Sequence, residues 1–477
     1  MITHNYDLVV IGSGPAGEKG AAQAAYFGKR VALVEQKPIL GGAACNGGTL
    51  SSKTLRETAL TLAGFRSRAL YGVDVSLRAD VTVRDLLSHE REVTSAEREA
   101  IAANLRRHTI ELYQGTGSFL DPHTVRVDAD DADPVLLRGD VFLVASGSSP
   151  RRPETVPFGD PRVWDSDEIA NIDFMPGSVA VMGGGVIGCE YACVFAALGV
   201  EVYLVDGRDE LLDFLDRDVW AVLQKRMTML GVRFVTGERV QACDAAEDAV
   251  RITLASGRTI EVDAVLVAAG RRSNTERLNL PAAGITPDER GLIRVNERYQ
   301  TEVQHIYAAG DVIGFPALAS TGMEQARLAM VDAFDLRYKT SAARVLPLGI
   351  YTIPEVSVAG ETESTLTEKR VPYVAGRAHY DDNARGKIIG DSEGMLKLLF
   401  GKEDMKLLGL SIVGESASEL VHVGLAALMV EADSSLFIEM CFNYPTLGQL
   451  YKYATYDAMD RRARPRRRRD RLPLRVQ

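Results

Sequence analysis

Residues 7–17 of this 477-residue chain read DLVVIGSGPAG, an apolar run closing on Gly12, Gly14 and Gly17. A short uninterrupted apolar run suits a strand buried on both faces of a parallel sheet. The residues from Pro15 to about Phe27 continue as a helix. The glycines permit a tight turn and let a pyrophosphate approach the helix N-terminus, whose free N–H groups and dipole favour an anion. The next strand, VALVE, ends at Glu35, 23 residues after Gly12, where a carboxylate suits a ribose hydroxyl. Glycine turns alone are common; strand, turn, helix and acid in this order specify a dinucleotide site.

The cassette recurs. SVAVMGGGVIGCEY (178–191) sets Gly183, Gly185 and Gly188 behind a second apolar strand, and EVYLVD ends at Asp206, again 23 residues past the first glycine. Two copies predict two bound dinucleotides and two Rossmann-like domains. Asp206 suits the ribose of NAD and repels a 2′-phosphate, whereas Arg208 is placed to neutralise one. Together they suit a site that accepts both nicotinamide dinucleotides.

Size and composition bound the rest. A mass of 51.9 kDa implies more than one domain, and 46% hydrophobic with 25% charged residues is ordinary for a soluble globular protein. The five cysteines, at 45, 189, 193, 243 and 441, form no zinc, haem or CxxC spacing, which points to a reducing, cytoplasmic setting. No metal site is expected. Cys189 and Cys193 lie one helical turn apart and should pack against the sheet. The N-terminus shows no signal-peptide pattern. The apolar run 178–200 carries Glu190 and three consecutive glycines, so it reads as strand, turn and helix rather than a membrane span. The net charge of −10 divides unevenly: residues 461–477 hold nine arginines and one aspartate, leaving −18 on the remainder. An acidic body with a short basic tail is not the footprint of a nucleic-acid enzyme, and the tail is expected to be disordered and solvated.

Between the cassettes, helices are expected over about Ser52–Leu70 and Leu86–His108, then strands and turns (ELYQGTGSF, TVRV, VLLRGDVFLVASGSSP) with Gly115 and Gly117 as turn glycines. Pro150 to Pro153 mark a domain crossing. After the second cassette, VRFVTG, RITLASG and TIEVDAVLVAAGRRSNT finish a second α/β domain near residue 272. HIYAAGDV (305–312) returns to an apolar strand and puts Asp311 at a strand's C-terminal edge, where doubly wound sheets contact ligands. Beyond Val345 come strands (VPYVAGRAHY, GMLKLLF, LLGLSIVG) and then helices near Ser416–Glu431 and Thr446–Asp460, an α+β pattern. His422 on the first of these is expected to be partly buried at an interface.

One stretch remains, GGAACNGGTLSSKTLRE (41–57), placing Lys53 about one turn into a helix. With the two cassettes, AAGRRSNT, YAAGD and the C-terminal pattern, it resembles the two-dinucleotide flavoprotein disulfide reductases over about residues 5–460. The resemblance implies FAD in the first cassette, a nicotinamide dinucleotide in the second, and a C-terminal dimerisation domain giving a homodimer or higher homo-oligomer. The implied segments are 1–150 with 273–344 for FAD, 151–272 for NAD(P), 345–460 for dimerisation and 461–477 as the basic tail. It implies FAD contacts at Gly12, Gly14, Gly17, Glu35, Gly42, Thr49, Lys53, Gly117, Ser146, Gly147, Asp311 and Ala319. For NAD(P) it implies Gly183, Gly185, Gly188, Glu190, Asp206, Arg208 and Gly270. Lys53 and Glu190 are implied as a catalytic pair beside the flavin, with Tyr444 approaching the flavin of the partner subunit.

Two departures from that family redirect the function. The positions of its redox dithiol hold Ala44 and Thr49, and Cys45 has no second thiol near it in sequence. Its C-terminal His and Glu acid–base pair is replaced within FNYPTLGQ, by Tyr444 and Gln449. Both missing parts serve a dithiol substrate. FNYPT, with LSIVGESASELVHVG before it, resembles the soluble pyridine nucleotide transhydrogenases. The implied reaction is ping-pong: hydride from NADPH to flavin, release of NADP, then hydride to NAD in the same pocket. The protein's part is to hold the reacting atoms about 3–3.5 Å apart. Two alternatives stay open on these residues: a flavin NAD(P)H oxidase or diaphorase passing electrons to oxygen or a quinone, and a catalytically silent flavoprotein scaffold. A lipoamide, glutathione or mercuric reductase is disfavoured for want of thiols.

Overall fold

The structure is a computed structural model that describes residues 2–67, 82–130, 132–339 and 343–463. It divides into two compact units, residues 1–209 with 233–343, and residues 210–232 with 344–477.

In the first unit, the opening strand spans Thr3–Ile11 and lies at the centre of a parallel array. It pairs with Val31–Glu35 on one side and with the long strand Ala132–Val144 on the other. Glu111–Gln114 extends the array beyond Val31–Glu35. Ala132–Val144 is shared along its length. Its first half pairs antiparallel with Thr124–Ala129, and its last residues pair in parallel with Ile306–Ala308. The strand that completes the parallel array therefore arrives from far along the chain, so the sheet is built from separate stretches of sequence. Both faces are covered: Val9, Ile11 and Val144 pack in one apolar cluster, Leu8, Val10 and Leu143 in the other.

A second sheet takes the order 232–236, 201–206, 178–182, 264–267, 163–165. Ser178–Met182 pairs in parallel with both Glu201–Asp206 and Ala264–Val267. A three-stranded antiparallel sheet covers residues 240–262. Ser148–Pro150 and Arg271–Ser273 form a two-stranded antiparallel ribbon. The apolar run after residue 178 is a five-residue strand and the helix Val186–Ala197. Among the described residues no helix is long and apolar enough to cross a membrane.

The second unit is built on a five-stranded antiparallel sheet with strands in the order 348–350, 356–360, 407–413, 395–401, 373–379. The helices Ala417–Met429 and Leu450–Ala463 pack on it around Leu410, Phe437 and Tyr451. Residues 210–232, with the helix Arg217–Leu230, group with this unit. The physical reason is ionic: Lys397, fully buried in its strand, meets Asp216 at 2.9 Å, Asp218 at 2.7 Å and Glu363 at 2.8 Å. Arg377 joins Asp218 at 2.6 Å and Glu363 at 3.0 Å.

Several local expectations are corrected. The helix expected from Ser52 begins at Thr49, because Gly48 offers its carbonyl to the Ser52 N–H one turn on; its expected end at Leu70 lies outside the described residues. The helix expected over Leu86–His108 is two, Val83–Leu86 and Ser88–Arg107, the first capped by a reciprocal Thr82–Asp85 bond pair. Gly115 occupies a turn, but Gly117 lies inside the strand Thr116–Asp121, where a Cβ would stand 3.3 Å from Val34 and 3.4 Å from Val125. The last helix extends through Arg461, which Asp457 holds at 2.7 Å one turn back, so the first tail arginines are helical; residues 464–477 lie outside the described residues. Within the single chain His422 is exposed on its helix.

Candidate active site: two nucleotide cradles and an ion pair

The cassettes fold alike in detail. Gly12 has φ +107° and Gly183 φ +112°, a region that L side chains avoid. A Cβ at Gly12 would stand 2.4 Å from the Ala145 carbonyl oxygen, and one at Gly183 would stand 2.4 Å from that of Ala268. The third glycines seat the helices on their own turns: a Cβ at Gly17 or Gly188 would lie 1.8 Å from the carbonyl oxygen of Gly12 or Gly183. The middle glycines face open space. Nothing lies within 4 Å of a Cβ built on Gly185, and Gly14 meets only Gly42 at 3.9 Å. Each cradle therefore brings the N-terminus of a helix, Pro15–Tyr26 or Val186–Ala197, to a place that a phosphate can reach.

The acids are held in matching fashion. The Ser13 N–H donates to Glu35 Oε2 at 2.9 Å and the Gly184 N–H to Asp206 Oδ2 at 2.6 Å. Glu35, buried, also accepts the Ser13 hydroxyl at 2.6 Å and the Lys37 N–H at 2.8 Å. Ser13 Oγ in turn accepts from the Gly41 N–H at 3.0 Å, tying the first cradle to the start of the 41–57 stretch. Asp206 accepts three bonds from Arg208, through its N–H at 2.8 Å, Nε at 3.0 Å and Nη2 at 2.9 Å. Burial opposes ionisation of Asp206, but these bonds outweigh it and hold the carboxyl below the usual carboxylate range.

Two buried hydroxyls, Ser51 Oγ and Ser146 Oγ, make no hydrogen bond among the described residues. The Ser146 Cα lies 3.3 Å from the Cβ position of Gly12, and next to it Gly147, at φ +71°, has nothing within 4 Å of its own Cβ position. Orphaned buried hydroxyls are uncommon, and that of Ser146 borders a cradle shaped for a dinucleotide, so the residues present fit FAD.

The 41–57 stretch forms the short helix Gly42–Asn46 and then Thr49–Ser67. Gly42, at φ +57°, presses on Gly14, and Gly47 lies against Asp167. Lys53 Nζ bonds Glu190 Oε2 at 2.6 Å, joining the helix that follows the first cradle to the helix of the second. Glu190 is 7% exposed and Lys53 27%. Ser52 Oγ accepts a second bond from Lys53 at 3.2 Å. Thr49 is exposed at its helix N-terminus and Ala44 is half-buried. All five cysteines are free thiols. Cys45 is buried with its thiol 3.6 Å from the Thr94 carbonyl, and burial pushes that thiol up. Cys189 and Cys193 are fully buried.

Of the remaining expected residues, Asp311 opens a 3-10 turn after the strand Ile306–Ala308 and accepts the Ser148 hydroxyl at 2.5 Å. Arg271 Nε donates to that same Ser148 Oγ at 2.8 Å, and its Nη1 reaches Asp167 at 3.2 Å. Ala319 begins the helix Ala319–Ala333, and Gly270, at φ +96°, follows the strand Ala264–Val267 in the place that Gly147 takes after Ala132–Val144. Gly117 sits in the core below the first cradle. Tyr444 belongs to the second unit and is 74% exposed there. The sequence reading missed Ser13, Ser148 and Arg271. Only the fixed spacing of Ser13 from Gly12 and Glu35 offered a signal for any of them. Among the described residues no cluster of His, Cys, Asp and Glu could hold a metal ion.

Comparisons with known proteins agree with this geometry. The pyridine nucleotide-disulphide oxidoreductase family model matches residues 6–330, and the dimerisation-domain model of the same family matches residues 346–455. A soluble pyridine nucleotide transhydrogenase of Mycobacterium tuberculosis is 46% identical over 96% of this chain and 97% of its own. One from Colwellia psychrerythraea is 38% identical over 96% and 98%. Among solved structures, LpdA of Mycobacterium tuberculosis is similar at a TM-score of 0.87 and 25% identity, over 96% of this chain and 99% of its own. The HOCl-induced flavoprotein disulfide reductase RclA of Escherichia coli, at a TM-score of 0.86 and 24% identity over 95% and 99%, shares the fold. The chain thus belongs to the pyridine nucleotide-disulphide oxidoreductase family.

Proposed function

We propose that the protein is an FAD-dependent NAD(P) transhydrogenase, moving hydride reversibly between NADPH and NAD without a redox disulfide. The observation that carries this is the Lys53–Glu190 bond of 2.6 Å, kept in a chain whose 41–57 stretch has Ala44 and Thr49 at the thiol positions. A surface ion pair contributes about 0–1 kcal/mol, and a buried one costs several kcal/mol of desolvation per ion, so stability is a poor reason to keep it. A positive charge positioned next to a nucleotide cradle has a use in redox chemistry.

Bound FAD supplies a two-electron carrier that takes a hydride from one nicotinamide and returns it to another. The residues for the FAD pyrophosphate are Gly12, Gly14, Gly17 and Gly42, with Glu35 accepting from the ribose. Thr49, Ser146, Gly147, Asp311 and Ala319 line the rest of its course, and Gly117 lies beneath. Gly183, Gly185 and Gly188 receive the nicotinamide dinucleotide, with Asp206 and Arg208 at its ribose and Gly270 beside it. Lys53 holds positive charge at the ring, while Glu190 fixes the ammonium and bounds the nicotinamide. These residues orient the reactants and keep water from between them.

The working form is read as a cytoplasmic homodimer of subunits with an FAD segment (1–150, 273–344), an NAD(P) segment (151–272) and a dimerisation segment (345–460). The exposed Tyr444 reaches toward the flavin of the partner subunit. No nucleic acid is involved. The test is anaerobic: mix the purified holoprotein with NADPH and a thio-analogue of NAD, and follow both chromophores. Reduction of the analogue at a rate matching flavin turnover supports transhydrogenation. Flavin that reduces but waits for oxygen or quinone replaces it with an oxidase, and flavin that never reduces replaces it with a scaffold.

A further inference from the structure

The charge at the ribose end of the second cradle does not balance for NADPH if Arg208 is its only cation. Arg208 makes three bonds to Asp206, so the pair is close to neutral. A phosphate monoester at pH 7 carries about −1.5 to −2. A second cation lies at the same edge. The loop 237–239 is tied to the acid's own segment by the Gly237 N–H to the Arg208 carbonyl at 3.0 Å and by the Glu238 N–H to the Asp206 carbonyl at 3.2 Å. These bonds lay the side chain of Arg239 across Gly207. Its Cγ, Nε and Cδ lie 3.0, 3.7 and 3.9 Å from where a Cβ of Gly207 would be. Gly207 is the residue between Asp206 and Arg208, and its missing side chain is what lets the arginine stem lie there. Arg239 is exposed and makes no ion pair among the described residues.

We propose that Arg239 is the second guanidinium of a 2′-phosphate subsite and sets how well this protein takes NADPH relative to NADH, an assignment that rests on the transhydrogenase reading for its use but not for its test. Arg208 screens the carboxylate that NAD's ribose needs, while Arg239, uncommitted, supplies the net positive charge that the phosphate needs. A planar guanidinium held along its stem suits bidentate binding to phosphate oxygens.

The experiment uses the full-length holoprotein with Arg239→Ala and Arg239→Lys, and measures binding of adenosine 2′,5′-bisphosphate against ADP-ribose, together with half-saturation of flavin reduction by NADPH against NADH. The assignment predicts that Arg239→Ala weakens the 2′-phosphorylated ligand of each pair about tenfold or more relative to its partner, the loss expected for a charged hydrogen bond. Arg239→Lys should keep part of that preference, because it keeps the charge and loses only the fork. A loss equal for both ligands of a pair, or no loss for either, would overturn it. Adenosine bisphosphate binding needs no turnover, so the two readings fail separately. Arg239-dependent binding in a protein that moves no hydride would sink the transhydrogenase and keep the subsite. A working transhydrogenase whose NADPH preference ignores Arg239 would do the reverse.

Discussion

Lys53 and Glu190, 137 residues apart in sequence, meet at 2.6 Å with the glutamate almost buried and the lysine about one-quarter exposed. Removing the lysine leaves a nearly buried carboxylate with one ionic partner fewer. Breaking a fully buried pair costs about 3–5 kcal/mol, and this one is open on the lysine side, so Lys53→Ala should cost about 1–3 kcal/mol of stability. Its effect on chemistry should be larger. Stopped-flow reduction by saturating NADPH should slow at least about tenfold, the equivalent of one charged hydrogen bond lost from the reacting complex. An unchanged rate would remove Lys53 from the mechanism.

Arg208→Ala should raise the half-saturating concentration of NADPH more than that of NADH, because Asp206 then meets the 2′-phosphate unscreened. The carboxyl of Asp206 lies below its usual range in the folded protein, so its contribution to stability is present above about pH 4 and is lost as pH falls through the folded value. The variant should lose that contribution, and a urea titration at neutral pH against one at acid pH measures it. Equal effects on the two nucleotides would exclude Arg208 from the choice between them.

Gly185→Ala separates folding from binding. A Cβ there has nothing within 4 Å, so melting and FAD content should match the parent. The methyl group would stand where a pyrophosphate approaches, and KM should rise for NADH and NADPH alike. Gly183→Ala makes the contrast, since its Cβ would stand 2.4 Å from the Ala268 carbonyl oxygen on a backbone at φ +112°. That variant should lose stability as well as nucleotide binding.

Lys397 is fully buried against Asp216, Asp218 and Glu363. Burial alone would lower its pKa, yet the three carboxylates raise it. Asp218 is half-buried, and Lys397 and Arg377 hold it below its usual range. The lysine's contribution is thus present below about pH 10.4 and lost as pH rises through its folded value, while that of Asp218 is present above about pH 3.9 and lost as pH falls through its own. Lys397→Met should cost about 3–5 kcal/mol, because it strands the buried Asp216 carboxylate, while Asp218 and Glu363 keep Arg377. Chemical denaturation at pH 7 checks this, and a loss below about 1 kcal/mol would mean that the cluster relaxes into solvent.

What the sequence made legible was mostly local. Gly12 and Gly183 announce their turns because the steric demand is met within the cassette, and Glu35 and Asp206 follow at a fixed spacing. The Lys53–Glu190 contact was reachable only through resemblance, since nothing local links two residues 137 positions apart. Lys397 stayed hidden for another reason. In GMLKLLF it reads as the one residue of the strand that should face water, and its burial depends on carboxylates contributed from residues 216, 218 and 363. Ser13 and Arg271 were likewise unremarked, because a serine or an arginine in a loop has many solvated uses and only the fold shows that Glu35 and Ser148 lie within reach.

Cys45 is buried, its thiol is pushed up by burial, and Ala44 and Thr49 flank it at the dithiol positions. Cys45→Ser should leave turnover within about twofold of the parent, and arsenite, which needs two neighbouring thiols, should not inhibit after reduction by NADPH. Both follow from the need of a thiolate for a second sulfur within bonding distance to form a disulfide.

The most direct test of a redox centre without sulfur is a count of electrons. Anaerobic titration of the holoprotein with dithionite should bleach the flavin fully after two electrons per FAD. An uptake of four electrons per FAD, with the flavin bleaching only in the second half, would reveal a disulfide partner and contradict the account.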